Sequence, residues 1–319
     1  MLPVFVLVSL ILLIALLLFR PIQTRTLVSK PHPVHTYAEV EQRINKLLAA
    51  EKPVLNPLCR LQFMSHGEKV ERAVLFFHGF SNCPQQFHEL GSLFFDRGYN
   101  VLIAPLPHHG LSDRMTTDQE RFTAEELAAF TDEMVDLSHG LGDQVTLVGF
   151  SAGGVATAWA AQNRRDIDRA VIISPGFGYQ LIPTPLTMPV ANLALALPNF
   201  YRWWDPELKE AIGPKHAYPR YSTHALAQIL RLSYAVRVEA RSARPQTQSI
   251  LVITNANEPA VNNELTAQVV EAWRKNGAVN LQTQEFEAGL QLDHDFIDPD
   301  QPNQPTEIVY PRLVEWITK

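Results

Sequence analysis

Two rhythms of apolar residues alternate along this chain. Short β-prone runs bounded by turn residues fall at 60–64, 73–77, 100–104, 145–150, 170–173, 250–254 and 281–286. Between them lie stretches with helical spacing, near 85–97, 124–137, 153–163, 223–240, 260–275 and 306–318. An earlier helix begins at Thr36, where Thr36 and Glu39 fit a capping box and Val40, Ile44, Leu47 and Leu48 share one face. Thr123 and Glu126 repeat the capping pattern. Strands alternating with helices predict an α/β architecture: a mostly parallel sheet with helices on both faces. In such sheets ligands bind outside the carboxyl ends of the strands.

Two stretches break the rhythm. Leu2 to Phe19 is eighteen residues without a charge, ended by Arg20 and Pro21. As a helix it would be about 27 Å long, just enough for a bilayer core. It lacks a basic start and an A-x-A-like site, so it predicts an uncleaved single-pass anchor over 1–20 and a membrane localisation, rather than a cleaved signal peptide. Residues 21–54 then read as a proline-containing linker and the amphipathic helix, and 55–319 as the main domain. The second break is the segment 176–222, with seven prolines, Trp203 and Trp204, and no charge from Leu181 to Pro198. An excursion of that length between sheet strands predicts a lid with an apolar underside.

Composition narrows the function. Hydrophobic residues make up 46%, enough for a large core, and the formal net charge of −6 with no basic run argues against nucleic acid as a partner. Nothing in the sequence fixes an oligomeric state. Cys59 and Cys83 are the two cysteines, too few for a disulfide scaffold or a zinc site. They are either two buried thiols or one bond that fastens the loop after Gly79, a bond that would need an oxidising compartment. Arg20, Arg25 and Lys30, after the apolar run, point to the opposite side of a membrane. The side stays open.

The chemistry is concentrated at Val145–Gly154, VTLVGFSAGG. An apolar run leads into Gly149-Phe150-Ser151-Ala152-Gly153, and a small-residue helix pattern follows: strand, sharp turn, helix. Such a turn strains the serine backbone and exposes its hydroxyl at a helix N-terminus. G-x-S-x-G alone arises by chance in roughly a tenth of chains this long, so its context decides. Phe77-His78-Gly79-Phe80 follows an apolar strand. Glu258 is the only carboxylate between Ser249 and Asn263, just after another strand. His294, in Asp293-His294-Asp295-Phe296, is the only histidine beyond His224.

These motifs, in this order, resemble the α/β-hydrolase family over about 55–319, and within it the carboxylesterase and monoacylglycerol-lipase group. The resemblance implies that Ser151 is the nucleophile, His294 the base and Glu258 the acid, the last departing from the more usual aspartate. It also implies an oxyanion hole from the backbone N–H groups of Phe80 and Ala152. Chain order Ser, acid, His fits this family. His294 would take the serine proton and return it to the leaving group, and Glu258 would orient the imidazole. An acyl-enzyme follows, with no metal or cofactor. The lid and anchor suit a hydrophobic acyl ester as substrate. The same triad would serve a peptidase or thioesterase, and the fold alone would serve a non-catalytic binding module. His109 reads as a turn-stabilising hydrogen bonder, and Asp293 and Asp295 as solvated loop charges.

Overall fold

The chain is described here from a computed structural model covering residues 9, 12, 15–50, 54–302 and 304–319. Nine strands occur among them: β1 (Gln62–Met64), β2 (Val70–Phe77), β3 (Asn100–Ile103), β4 (Gly142–Phe150), β5 (Arg169–Ile173), β6 (Tyr201–Trp203), β7 (Arg220–Ser222), β8 (Ser249–Asn255) and β9 (Leu281–Phe286). Seven of them form one sheet in the order β1-β3-β2-β4-β5-β8-β9. Only β1 runs antiparallel to its neighbour; the other pairings in this sheet are parallel. The helices are α1 (Tyr37–Ala50), α2 (His88–Phe95), α3 (Ala124–Ser138), α4 (Ala152–Asn163), α5 (Thr187–Ala196), α6 (Thr223–Ala240), α7 (Asn263–Lys275) and α8 (Thr306–Thr318).

Strand β2 shows why the sheet is covered on both sides. Ala73, Leu75 and Phe77 point into a core shared with α1, α3, α4, α6 and α7. Val74 and Phe76 point the other way, into a core with α2 and α8. A strand buried on both faces reads as an unbroken apolar run rather than an alternation. The caps behave as their sequences require: Thr123 Oγ1 accepts the Glu126 amide at 3.1 Å and Thr36 Oγ1 the Glu39 amide at 3.4 Å. Two helices start later than their spacing predicts. Pro84 sets a 3₁₀ turn, Pro84–Phe87, ahead of α2, and Asn262 caps α7 by accepting the Leu265 amide at 3.1 Å.

The N-terminal expectation is corrected. Among the described residues no helix is long and apolar enough to cross a membrane, so neither the anchor over 1–20 nor the membrane localisation and partnership drawn from it stands. Residues 1–8, 10, 11, 13 and 14 lie outside the described residues. The described residues 9, 12 and 15–19 are helical. The segment then turns onto the body. Asn192 Nδ2 on α5 donates to the carbonyls of Leu18 and Arg20 at 2.8 and 2.9 Å, and Ile22 packs with Ala191, Ala227 and Leu230. Eighteen apolar residues sit at the lower edge of spanning length. Residues 21–35, whose prolines read as a linker, also lie along the body, with Leu27 and Val34 buried.

The excursion over 176–222 contains a 3₁₀ turn (Thr184–Leu186), α5, and the antiparallel hairpin β6–β7. Helix α5 packs on α6 through Ala191 and leaves Leu186, Val190, Leu193 and Leu197 exposed nearby.

Candidate active site

Four of the five candidate residues follow the carboxyl ends of the parallel strands β2, β4 and β8, and the fifth lies on the loop after β9. Ser151 joins β4 to α4 with φ 53° and ψ −110°, a positive-φ conformation that costs a non-glycine residue about 1–3 kcal/mol. The flanking glycines make the turn possible. A Cβ on Gly149 would lie 2.1 Å from the Gly153 carbonyl oxygen, and a Cβ on Gly153 would lie 2.1 Å from the Phe77 carbonyl oxygen. The strain is held by backbone bonds: Ser151 N–H donates to Ile173 O, and Gly176 N–H to Ser151 O, both at 3.0 Å.

His294 reaches this serine from the loop after β9. Its Nε2 lies 2.9 Å from Ser151 Oγ, and its Nδ1 lies 2.8 Å from Glu258 Oε1. Glu258 Oε1 also accepts the amides of Ala260 and Val261 at 2.9 and 3.2 Å. Burial would raise the Glu258 carboxyl, but the His294 charge and hydrogen bond and the two amides outweigh it and hold the group below its ordinary value. Glu258 is therefore a carboxylate, able only to accept. The hydrogen on His294 must then sit on Nδ1, which leaves Nε2 to accept from the serine hydroxyl.

The turn after β2 brings Phe80 beside the serine's helix. Gly153 N–H donates to His78 O at 3.2 Å, which ties the two motifs together. The amides of Phe80 and Ala152 have no acceptor among the described residues. His78 braces the turn: Nδ1–H donates to Gly79 O at 2.8 Å, and Nε2 accepts the Leu106 amide at 2.9 Å. Burial, with His109 close by, holds the His78 pKa well below its ordinary value, so the ring is neutral. His109 stabilises its own turn, donating from Nδ1 to Pro107 O at 2.7 Å.

The excursion contributes to the same turn. Trp204 Nε1 donates to Ser81 Oγ at 2.9 Å, Tyr218 N–H to Ser81 O at 2.7 Å, and the Trp204 and Phe80 rings meet edge to face. Cys59 and Cys83 are bonded to each other, so the loop after Gly79 is fastened to the segment before β1.

One expectation fails. Asp293 is exposed, but Asp295 is no solvated loop charge. Its carboxylate accepts from Gln86 Nε2, Asn82 Nδ2, Gln301 Nε2 and the Asp298 amide. Burial and the neighbouring Asp298 raise its pKa, against the pull of those donors. Beyond it, buried Asp298 accepts from Asn82 Nδ2 at 2.9 Å and pairs with His216 Nε2 at 2.8 Å. Sequence reading missed Gln86, Asn82, His216 and Asp298, because their partners lie far off in the chain and no local pattern records them. His216, Asp298 and Asp300 have ligand atoms within 4.8 Å of one another. Two of these already bond each other and the third is exposed, so the group reads as a hydrogen-bonded pair.

A sequence profile of the α/β hydrolase fold matches residues 72–229. The thermostable monoacylglycerol lipase of Bacillus sp. (strain H-257) is 24% identical over 226 residues, 70% of this chain and 86% of that protein. Among solved structures, the monoacylglycerol lipase of Paleococcus ferrophilus aligns with a TM-score of 0.62 at 18% identity, over 81% of this chain and 97% of its own. A soluble variant of monoglyceride lipase from Saccharomyces cerevisiae aligns with a TM-score of 0.59 at 12% identity, over 81% and 91%. By profile match, strand order and solved neighbours, the chain has the α/β hydrolase fold, and the proteins it resembles include monoacylglycerol lipases.

Proposed function

We propose that this protein is a serine hydrolase that cleaves carboxylic esters carrying an apolar acyl chain. The observation that carries the reading is the run of hydrogen bonds from Ser151 Oγ to His294 Nε2 and from His294 Nδ1 to Glu258. In the reaction, Ser151 Oγ attacks the ester carbonyl while its proton passes to His294 Nε2. Glu258 holds the imidazole tautomer and stabilises the imidazolium. The amides of Phe80 and Ala152 receive the developing oxyanion, at about 3–4 kcal/mol for each donor. His294 then hands the proton to the leaving alkoxide. Water repeats the cycle on the acyl-enzyme and releases the acid. The segment 176–222 acts as the lid. Exposed Leu181, Leu186, Leu193, Leu197 and Phe200 give it apolar surface for the acyl chain, at about 0.8 kcal/mol per buried methylene.

The test is paired labelling and hydrolysis. The wild type should react with a fluorophosphonate probe and hydrolyse p-nitrophenyl esters of graded acyl length, and Ser151→Ala should do neither while keeping its melting temperature. A wild type that labels but cleaves only thioesters or amides would move the substrate class. One that fails to label would leave a binding module.

A further inference from the structure

Asp295 follows the proposed base directly, yet its carboxylate faces the other way. Oδ1 accepts from Gln86 Nε2 at 2.8 Å and from the Asp298 amide at 3.2 Å; Oδ2 accepts from Asn82 Nδ2 at 2.9 Å and Gln301 Nε2 at 3.1 Å. Four donors fill about four lone-pair sites. Two of them come from the turn after β2, and both are buried. Their other ends hold that turn: Gln86 Oε1 accepts the Gly79 amide and Asn82 Oδ1 the Cys83 amide, each at 2.7 Å. The polarity is fixed at every link, oxygen toward the turn and nitrogen toward Asp295.

The turn needs such a hold. Ser81 sits at φ 66°, a conformation a serine adopts at a cost. An oxyanion donor also works only when it lies within about 2.7–3.1 Å of the forming charge. We propose that Asp295 is a positioning residue for the oxyanion hole: through Gln86 and Asn82 it fixes residues 79–83, and with them the Phe80 amide, to the loop that carries His294. The proposal rests on the reading of Phe80 N–H as an oxyanion donor. One loop then sets the place of both the base and the hole.

Asp295→Asn tests it. An amide has one donor face. Turned one way it meets Gln86 Nε2; turned the other it meets Asn82 Nδ2 and Gln301 Nε2. The expected result is a kcat on p-nitrophenyl butyrate lowered roughly 10–100-fold, somewhat less than loss of a whole oxyanion donor, with KM within about threefold by the same reasoning that only transition-state contacts are lost. Affinity for an alkyl trifluoromethyl ketone, whose serine adduct carries an oxyanion, should fall in step with kcat. Gln86→Met, which cuts the link and leaves the carboxylate, should fall alike. The double variant Gln86→Glu/Asp295→Asn, which restores a donor opposite an acceptor at that link and leaves the Asp298 amide opposed, should recover part of kcat and ketone affinity. An active wild type whose Asp295→Asn and Gln86→Met forms keep full kcat and ketone affinity overturns the proposal, as does a loss that appears in KM alone. A wild type that neither labels nor hydrolyses removes the parent reading first, which is a different result.

Discussion

Replacing Glu258 by glutamine separates its charge from its shape. Oε1 meets three donors, His294 Nδ1 and the amides of Ala260 and Val261, whereas the buried Oε2 has no partner. The glutamine oxygen therefore takes the Oε1 position. The reverse orientation would set an NH₂ group against two backbone N–H groups. The imidazole tautomer is thus preserved, and what disappears is the negative charge. At about 4 Å and an effective dielectric near 20, that charge is worth up to about 4 kcal/mol to the imidazolium. The His294 ring is 22% exposed, and solvent screening brings the figure to about 2–3 kcal/mol, or roughly 30–200-fold in kcat. KM should stay near the wild-type value. The new NH₂ group, buried without an acceptor, lowers stability by about 1–3 kcal/mol. Because the Glu258 pKa is depressed in the fold, its stabilising contribution is full above the ordinary carboxyl value of about 4.3 and fades as pH falls through the folded value. The stability gap between wild type and variant should therefore narrow in acid. Steady-state hydrolysis of p-nitrophenyl butyrate at pH 7.5, with urea unfolding at pH 7.5 and 3.5, reads both. A variant within threefold of wild-type kcat would refute Glu258 as the acid. A loss near 10⁴ would show that the tautomer had reversed after all.

Two further predictions concern what surrounds the site. Burial, with a smaller push from His108 and against the Pro107 hydrogen bond, lowers the His109 pKa to about 4. The unfolded chain, at about 6.5, then binds the extra proton first, so stability is full above pH 6.5 and falls toward pH 4, by about 3 kcal/mol over the window. Urea unfolding of His109→Gln should show a shallower acid slope than the wild type, and equal slopes would count against the buried neutral ring. The Cys59–Cys83 bond closes a sequence separation of 24 residues and stabilises by about 3 kcal/mol in the loop-entropy picture. The double variant Cys59→Ser/Cys83→Ser should therefore unfold at lower urea than the oxidised wild type, and an unchanged midpoint would show that the bond contributes nothing.

The features legible in the sequence are those where backbone geometry restricts residue type. Gly149 and Gly153 admit no Cβ, so the elbow around Ser151 announces itself. Buried parallel strands need unbroken apolar runs, which is why β2, β4, β5 and β8 were readable, whereas β9, with four exposed residues of six, was placed mainly by its setting. Glu258 and His294 were picked out through the resemblance to the α/β-hydrolase order, supported by each being the one carboxylate or histidine in its stretch. The network around Asp295 was not. Asp295 lies 209 residues from Gln86 and 213 from Asn82, and a carboxylate in a loop looks the same in sequence whether water or four protein donors surround it. For the N-terminal run, hydropathy likewise counts methyl groups and carries no record of the Asn192 amide that meets the carbonyls at 18 and 20. The prolines of 176–222 foretold an excursion, but not the indole and the Tyr218 amide that it lends to Ser81.

The separation of 143 residues between Ser151 and His294 has a meaning for synthesis. At about 5–20 residues per second, the elbow is made roughly 7–30 s before the base. During that interval β2, β4 and β5 can pair and α4 can dock, but β8 and β9, which carry Glu258 and lead to His294, do not yet exist. The serine is formed, strained and exposed, with nothing to take its proton. On the proposed triad, the nascent chain would be inert through the order of its own strands until the last parallel strand has found the edge of the sheet.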